Sequence, residues 1–170
     1  MKVALIRCRE ETGARETNVT GIYPPLGLAC LAAALRARAH DVCILDAEAL
    51  GLGSKGALDA IPADAGVIGF TATTLLWPTV RNISFEARRR FPGRLLVAGG
   101  PHVTAFPREC LSGSAFDAGV MGDGEDAICS LAEQWFARRA VAGVPGCAVR
   151  EGERITVNGG PQAIKDLDRL

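Results

Sequence analysis

Histidine, aromatic residues, long apolar runs and net charge are all scarce in this chain of 170 residues. Each scarcity removes a class of function. The 19 lysines and arginines cancel the 19 aspartates and glutamates, so no field attracts nucleic acid or an anionic membrane. Apolar runs are strand-sized, well short of the roughly 20 residues of a membrane-spanning helix. Met1–Ile6 runs straight into Arg7 and Arg9 without the layout of a signal peptide, which points to a cytoplasmic protein. The six cysteines stand singly, with no CxxC and no close Cys/His pair, so no metal site is expected from this chain. Cys30 and Cys43 read as small core residues, while Cys8, ending the first strand, is placed to reach a ligand edge. A Walker A lysine motif, a nucleophile elbow and the acidic cluster of a receiver domain are also missing. Only two histidines occur; His40 reads as a surface residue, and His102 either meets a ligand or bonds its own turn.

What is present is alternation. Short apolar runs at Lys2–Arg7, Asp41–Asp46, Ala65–Thr71, Leu95–Ala98 and Ala118–Met121 read as strands. Between them lie helical stretches at Leu26–Ala37, Leu58–Ile61, Thr79–Phe91 and around Pro107–Leu111, and Glu125–Arg138 closes the series. Arg88, Arg89 and Arg90 are expected on a solvent face of the Thr79–Phe91 helix. Such alternation implies a parallel sheet covered on both faces, and the length suits one domain. The expected fold is α/β, a flavodoxin-like, doubly wound sheet of five parallel strands with its switch point between the first and third. Cys147–Arg150 and Arg154–Val157 read as a small C-terminal β-hairpin beside it.

Ligands of such sheets bind outside the carboxyl ends of the strands. The run Leu95-Leu96-Val97-Ala98-Gly99-Gly100-Pro101-His102 ends a buried strand in paired glycines, leaving bare backbone for a flat ligand. Thr71, Thr73 and Thr74, followed by Leu75, supply uncharged hydroxyl donors, although one threonine suffices to cap a helix. The stretch Gly122-Asp123-Gly124-Glu125-Asp126-Ala127 matches GxGxxA, but its three carboxylates would repel a pyrophosphate. Capping of a helix start accounts for Asp123 and Asp126, and Glu125 remains able to accept hydrogen bonds from a ligand. The first loop, Cys8 to Pro25, is long and polar, as functional or disordered loops are.

In order along the chain stand Pro24-Pro25-Leu26-Gly27-Leu28 with Leu31-Ala32-Ala33-Ala34-Leu35, His40-Asp41-Val42, Val67-Ile68-Gly69-Phe70-Thr71, Gly99-Gly100-Pro101-His102 and Gly122-Asp123-Gly124-Glu125. This ordered set resembles the N-terminal cobalamin-binding domain of cobalamin-dependent radical S-adenosylmethionine enzymes, a group of methyltransferases and the anaerobic magnesium-protoporphyrin ester cyclase. The resemblance implies a Rossmann-like cobalamin-binding domain over residues 1–140, then a hairpin and linker over 141–170. That linker would lead to a C-terminal radical domain of the same natural chain. S-adenosylmethionine and an iron–sulfur cluster are expected only in that domain, since its CxxxCxxC motif is absent here. Thr71, Thr73, Thr74, Leu75, Gly99, Gly100, Pro101, His102, Gly122, Gly124 and Glu125 are then expected at the cofactor. The corrin ring would lie across the carboxyl edge, with the nucleotide tail between sheet and helices.

The methionine synthase and mutase branch of cobalamin domains carries a DxHxxG motif whose histidine binds cobalt. No histidine occurs between Cys8 and Gly27. Either cobalt has no protein nitrogen ligand, as in a base-off cofactor poised for methyl transfer or related radical chemistry, or another loop supplies one. Leu75, Leu76 and Trp77 are apolar candidates to cover the lower face. Alone, the chain would bind cofactor without catalysing a reaction. The alternative is a stand-alone flavodoxin-like binding or sensor module for another ligand or a protein partner.

Overall fold

The computed structural model describes residues 1–9 and 23–164. Most of the first loop and the linker expected after Ile164 fall outside the described residues. Strands β1 (Lys2–Arg7), β2 (Asp41–Asp46), β3 (Val67–Thr71), β4 (Leu95–Gly99) and β5 (Ala118–Val120) are joined by helices. These are α1 (Leu26–Ala37), α2 (Ser54–Asp59), α3 (Trp77–Arg90), α4 (Pro101–Ala105) and α5 (Pro107–Ser112), followed by α6 (Glu125–Arg138). Strands β6 (Cys147–Glu151) and β7 (Arg154–Asn158) complete the order.

The sheet runs β2-β1-β3-β4-β5-β6-β7, and its first five members are parallel in the flavodoxin-like order with the switch point between β1 and β3. The hairpin does not stand apart. It continues the sheet, with β6 antiparallel to β5 and β7 antiparallel to β6, giving seven strands. The cause lies in β6, where Cys147, Ala148 and Val149 are all buried. Residues buried on both faces need neighbours on both sides, which a solvent-exposed hairpin lacks.

Alternation along the strands divides the core into two layers. Val3, Leu5, Val67 and Val97 pack under Leu28 and Leu35 of α1 and Ile128 and Leu131 of α6. Ala4, Ile6, Ile68, Phe70 and Ala98 face α2 to α5 through Leu58, Ile83, Val103 and Cys110. Cys8, just past the carboxyl end of β1, is buried in this second layer and does not line the slot described below. Cys30 and Cys43 are only partly buried. Burial pushes the thiols of Cys110 and Cys129 up to about 11 and that of Cys147 to about 12, which suits packing rather than chemistry. Arg88 leaves the expected solvent face of α3, because Asp117 draws it inward to a 2.5 Å ion pair whose carboxylate also accepts from the Leu96 amide.

His40 is buried, not at the surface, with 8% of its area exposed and its ring stacked on Phe136. Desolvation, with the positive N-terminus nearby, lowers its pKa from 6.5, so the folded chain holds the ring neutral. The unfolded chain therefore takes up the proton first as pH falls. His40 contributes stability above about pH 6.5 that is lost as acidity increases below it. The melting temperature is expected to fall between pH 7 and pH 5, and His40→Leu to flatten that slope. An unchanged slope in the variant would assign the acid sensitivity to other groups.

Candidate functional site

The strand ends place side chains in rows. Leu5, Gly69 and Val97 are in register on β1, β3 and β4, and one step nearer the carboxyl edge come Arg7, Thr71 and Gly99. Glycine at positions 69 and 99 removes two side chains from the face beneath α1 and α6. A slot of about 180 Å³ opens there, lined also by Gly27, Leu28 and Leu31 of α1 and by Gly124, Glu125 and Ile128. That volume is below the roughly 300–1,000 Å³ of pockets for whole drug-sized ligands, and suits one arm of a larger molecule. Its walls are mainly apolar. A Cβ at Gly27 would meet nothing within 4 Å, and one at Gly99 only Val120 at 3.9 Å, so both face open space.

One polar atom breaks the pattern. Glu125 lines the slot, and its Oε2 is buried with no hydrogen-bond partner among the described residues. A buried carboxylate oxygen left unpaired is costly, so this position favours a ligand that brings a hydroxyl or amide donor. Placement in the first turn of α6 assists the negative charge through the helix dipole.

The expected site residues separate into two groups. Thr71, Gly99, Gly100, Gly122, Gly124 and Glu125 line the slot. Thr73, Thr74, Leu75, Pro101 and His102 do not; they form a shelf beside it at the same edge. Thr73 Oγ1 accepts from the Leu76 amide at 3.3 Å, a capping role within the turn. Thr74 Oγ1 lies 3.3 Å from His102 Nδ1, and the His102 ring packs between Trp77 and Phe106, at 5.0 and 5.3 Å between centroids. Leu75 projects outward, 75% exposed. Pro101 and His102 belong to the short helix α4 rather than to a turn, because proline after the glycine pair is preset for a first helical position.

Asp123 does not cap α6. Gly124 occupies that N-cap without a side-chain bond, and Asp123 Oδ2 instead accepts from the Ile164 amide at 2.8 Å. Leu5, Gly27, Leu28, Leu31, Gly69 and Ile128 line the slot without having been singled out as site residues. The available signals were the lone glycines inside the β3 run and the α1 pattern, which mark close approach or missing side chains.

The B12 binding domain family matches residues 15–132. An uncharacterized methyltransferase of Pyrococcus horikoshii is 31% identical over 176 residues, covering 100% of this chain and 37% of its own length. The anaerobic magnesium-protoporphyrin IX monomethyl ester cyclase of Synechocystis is 30% identical over 149 residues, covering 85% of this chain and 30% of its own. Among solved structures, the radical S-adenosylmethionine methyltransferase TsrM of Kitasatospora setae, with cobalamin and a 4Fe–4S cluster bound, superposes with a TM-score of 0.78. It shares 22% identity over 97% of this chain and 30% of its own. The cobalamin-dependent S-adenosylmethionine radical enzyme OxsB gives a TM-score of 0.68 at 17% identity, over 95% of this chain and 22% of its own. These two share the fold. The chain thus spans about a third of the length of the curated relatives it matches.

Proposed function

The chain belongs to the B12-binding domain family, and from that premise we propose that its slot takes the nucleotide tail of cobalamin while the corrin ring lies across the shelf. The observation that carries this reading is the pairing of a glycine floor with the unpartnered Glu125 oxygen. Gly99 on the sheet and Gly27 on α1 leave depth for a flat base between sheet and helices, while the Leu5 side chain fills the space over Gly69. Glu125 presents an acceptor where the ribose of the tail presents hydroxyl donors. Thr71, at the rim of the slot, adds a hydroxyl that donates or accepts, and Leu28, Leu31 and Ile128 exclude water from the apolar part of the tail.

When bound, cobalamin supplies a cobalt centre able to carry a methyl group or take part in one-electron chemistry. The chain's own contribution is retention and orientation. Trp77 and His102 pack against each other at the shelf, and Leu75, two residues before Trp77, is exposed; these side chains would lie against a base-off cofactor. The fraction of its relatives that this chain spans supports a larger protein. In that reading a C-terminal radical S-adenosylmethionine domain of the same cytoplasmic protein uses the cofactor for methyl transfer or cyclisation.

Reconstitution with hydroxocobalamin tests the binding. Corrin absorbance bands should stay with the protein through desalting; elution of all colour with the small-molecule fraction would end this reading. Glu125→Ala should weaken binding about 10–100-fold, since hydrogen bonds to charged groups contribute roughly 1.5–3 kcal/mol. Reduction to cobalt(II) gives a second readout. We expect no nitrogen superhyperfine splitting in the electron paramagnetic spectrum, and no change in His102→Ala. A triplet lost in that variant would make His102 a cobalt ligand.

A further inference from the structure

We propose that residues 161–164 act as a clasp that shapes the rim of the slot, and that Thr104 carries this hold from the loop after β5 to the loop after β4. β7 runs in the direction of β5, and the chain keeps that direction past the start of β6, where Gln162 pairs in parallel with Gly122. The Gln162 amide donates to Met121 O at 3.3 Å, and the Asp123 amide donates to Gln162 O at 2.8 Å. The Ile164 amide then closes on Asp123 Oδ2 at 2.8 Å. Contact is tight enough that a Cβ on Gly122, whose φ is +73°, would overlap the Gln162 carbonyl. Gly122 and Asp123 line the slot, whereas no residue of the clasp does.

Thr104 extends the hold. The Gly122 amide donates to Thr104 Oγ1 at 3.0 Å, and that hydroxyl donates to Gly100 O at 3.1 Å. One hydroxyl has the single hydrogen and the lone pairs this arrangement requires. The Met121–Gly122 peptide accepts from the Gln162 amide at its carbonyl and donates to Thr104 at its N–H. A continuous set of contacts therefore runs from Gln162 through that peptide and Thr104 to Gly100, joining two sides of the rim. Neither Thr104 nor the clasp touches the slot, so both are positioning elements. Loosening them frees the loop that precedes Glu125 without removing any group from the site.

The affinity readout rests on the cobalamin reading above, so the experiment carries a second readout independent of it. In the full chain, Gln162→Pro with Ile164→Pro removes two of the donating amides, and Gln162→Ala keeps them. Thr104→Val removes the shared hydroxyl, and Thr104→Ser restores it. Hydroxocobalamin affinity should fall at least tenfold in the double-proline variant and in Thr104→Val, with melting temperatures close to that of the parent chain. Gln162→Ala and Thr104→Ser should bind like the parent. By nuclear magnetic resonance, exchange of the Asp123 amide should quicken at least tenfold in the double-proline variant, and that of Gly122 in Thr104→Val. Unchanged affinity and unchanged protection of these amides would overturn the clasp. Were the parent chain to bind no cobalamin, the proposed function would fail and amide exchange alone would decide the clasp. Were the double-proline variant unfolded, the Thr104 pair would decide it.

Discussion

Gly99→Val is expected to give a folded protein that no longer retains cobalamin. Position 99 ends β4, in register with Thr71 and on the same face as Val97. A Cβ there meets only Val120, at an ordinary 3.9 Å, so the added methyl groups extend into the slot instead of displacing backbone. Valine also suits a strand. Stability should change by no more than about 0.5 kcal/mol, equivalent to about 1–2 °C in melting temperature for a chain of this size. Affinity should fall by more than tenfold, a loss above about 1.4 kcal/mol, because the branched side chain takes the space of the ligand. Titration of hydroxocobalamin followed by absorbance, beside thermal unfolding, reads both quantities. A variant that melts normally and binds like the parent would place the ligand elsewhere.

Gly100→Ala should behave in the opposite way and strike the fold first. Gly100 has φ +96° and ψ −179°, a region essentially reserved for glycine. A Cβ would lie 2.8 Å from Ala72 O and 3.0 Å from Ala72 N. The backbone of Ala72 is pinned on both sides, since its amide donates to Gly99 O and its carbonyl accepts from the His102 amide. Backbone held in this manner cannot yield cheaply. Backbone strain of about 1–3 kcal/mol and overpacking of similar size predict a total loss of about 2–5 kcal/mol. The melting temperature should drop by roughly 5–15 °C, with binding weakened through displacement of Thr71. A drop under 2 °C would show that the strand-to-helix junction adapts, and would remove the structural reason for glycine at this position. Adjacent glycines thus carry different duties. Gly99 leaves open space in the slot, and Gly100 lets two backbones meet.

The elements that sequence alone determined are those set by local periodicity. Leu26–Ala37 and Glu125–Arg138 begin and end where their apolar spacing predicts, and β1 and β2 occupy the expected residues. Five strands alternating with helices also dictate a parallel, doubly wound sheet, and the paired glycines mark the carboxyl end of its fourth strand. The order of motifs was enough to identify the cofactor family that the B12 binding domain match then showed.

Tertiary structure alone decided matters of direction and partnership. Which face of a strand receives a helix is not encoded in its own residues, so Cys8 and Arg88 turn inward although their surroundings in sequence suggest otherwise. The hairpin joins the sheet because β5 offers it an edge, and His40 is buried because Phe136, far along the chain, covers it. The slot itself depends on register. Gly69 and Gly99 come to share one face of the slot only when β3 and β4 pair, and Gln162 meets Gly122 only after the chain has passed through the hairpin and across the start of β6. Contacts between residues distant in sequence are chosen by the free energy of the whole core, and no local pattern contains that choice.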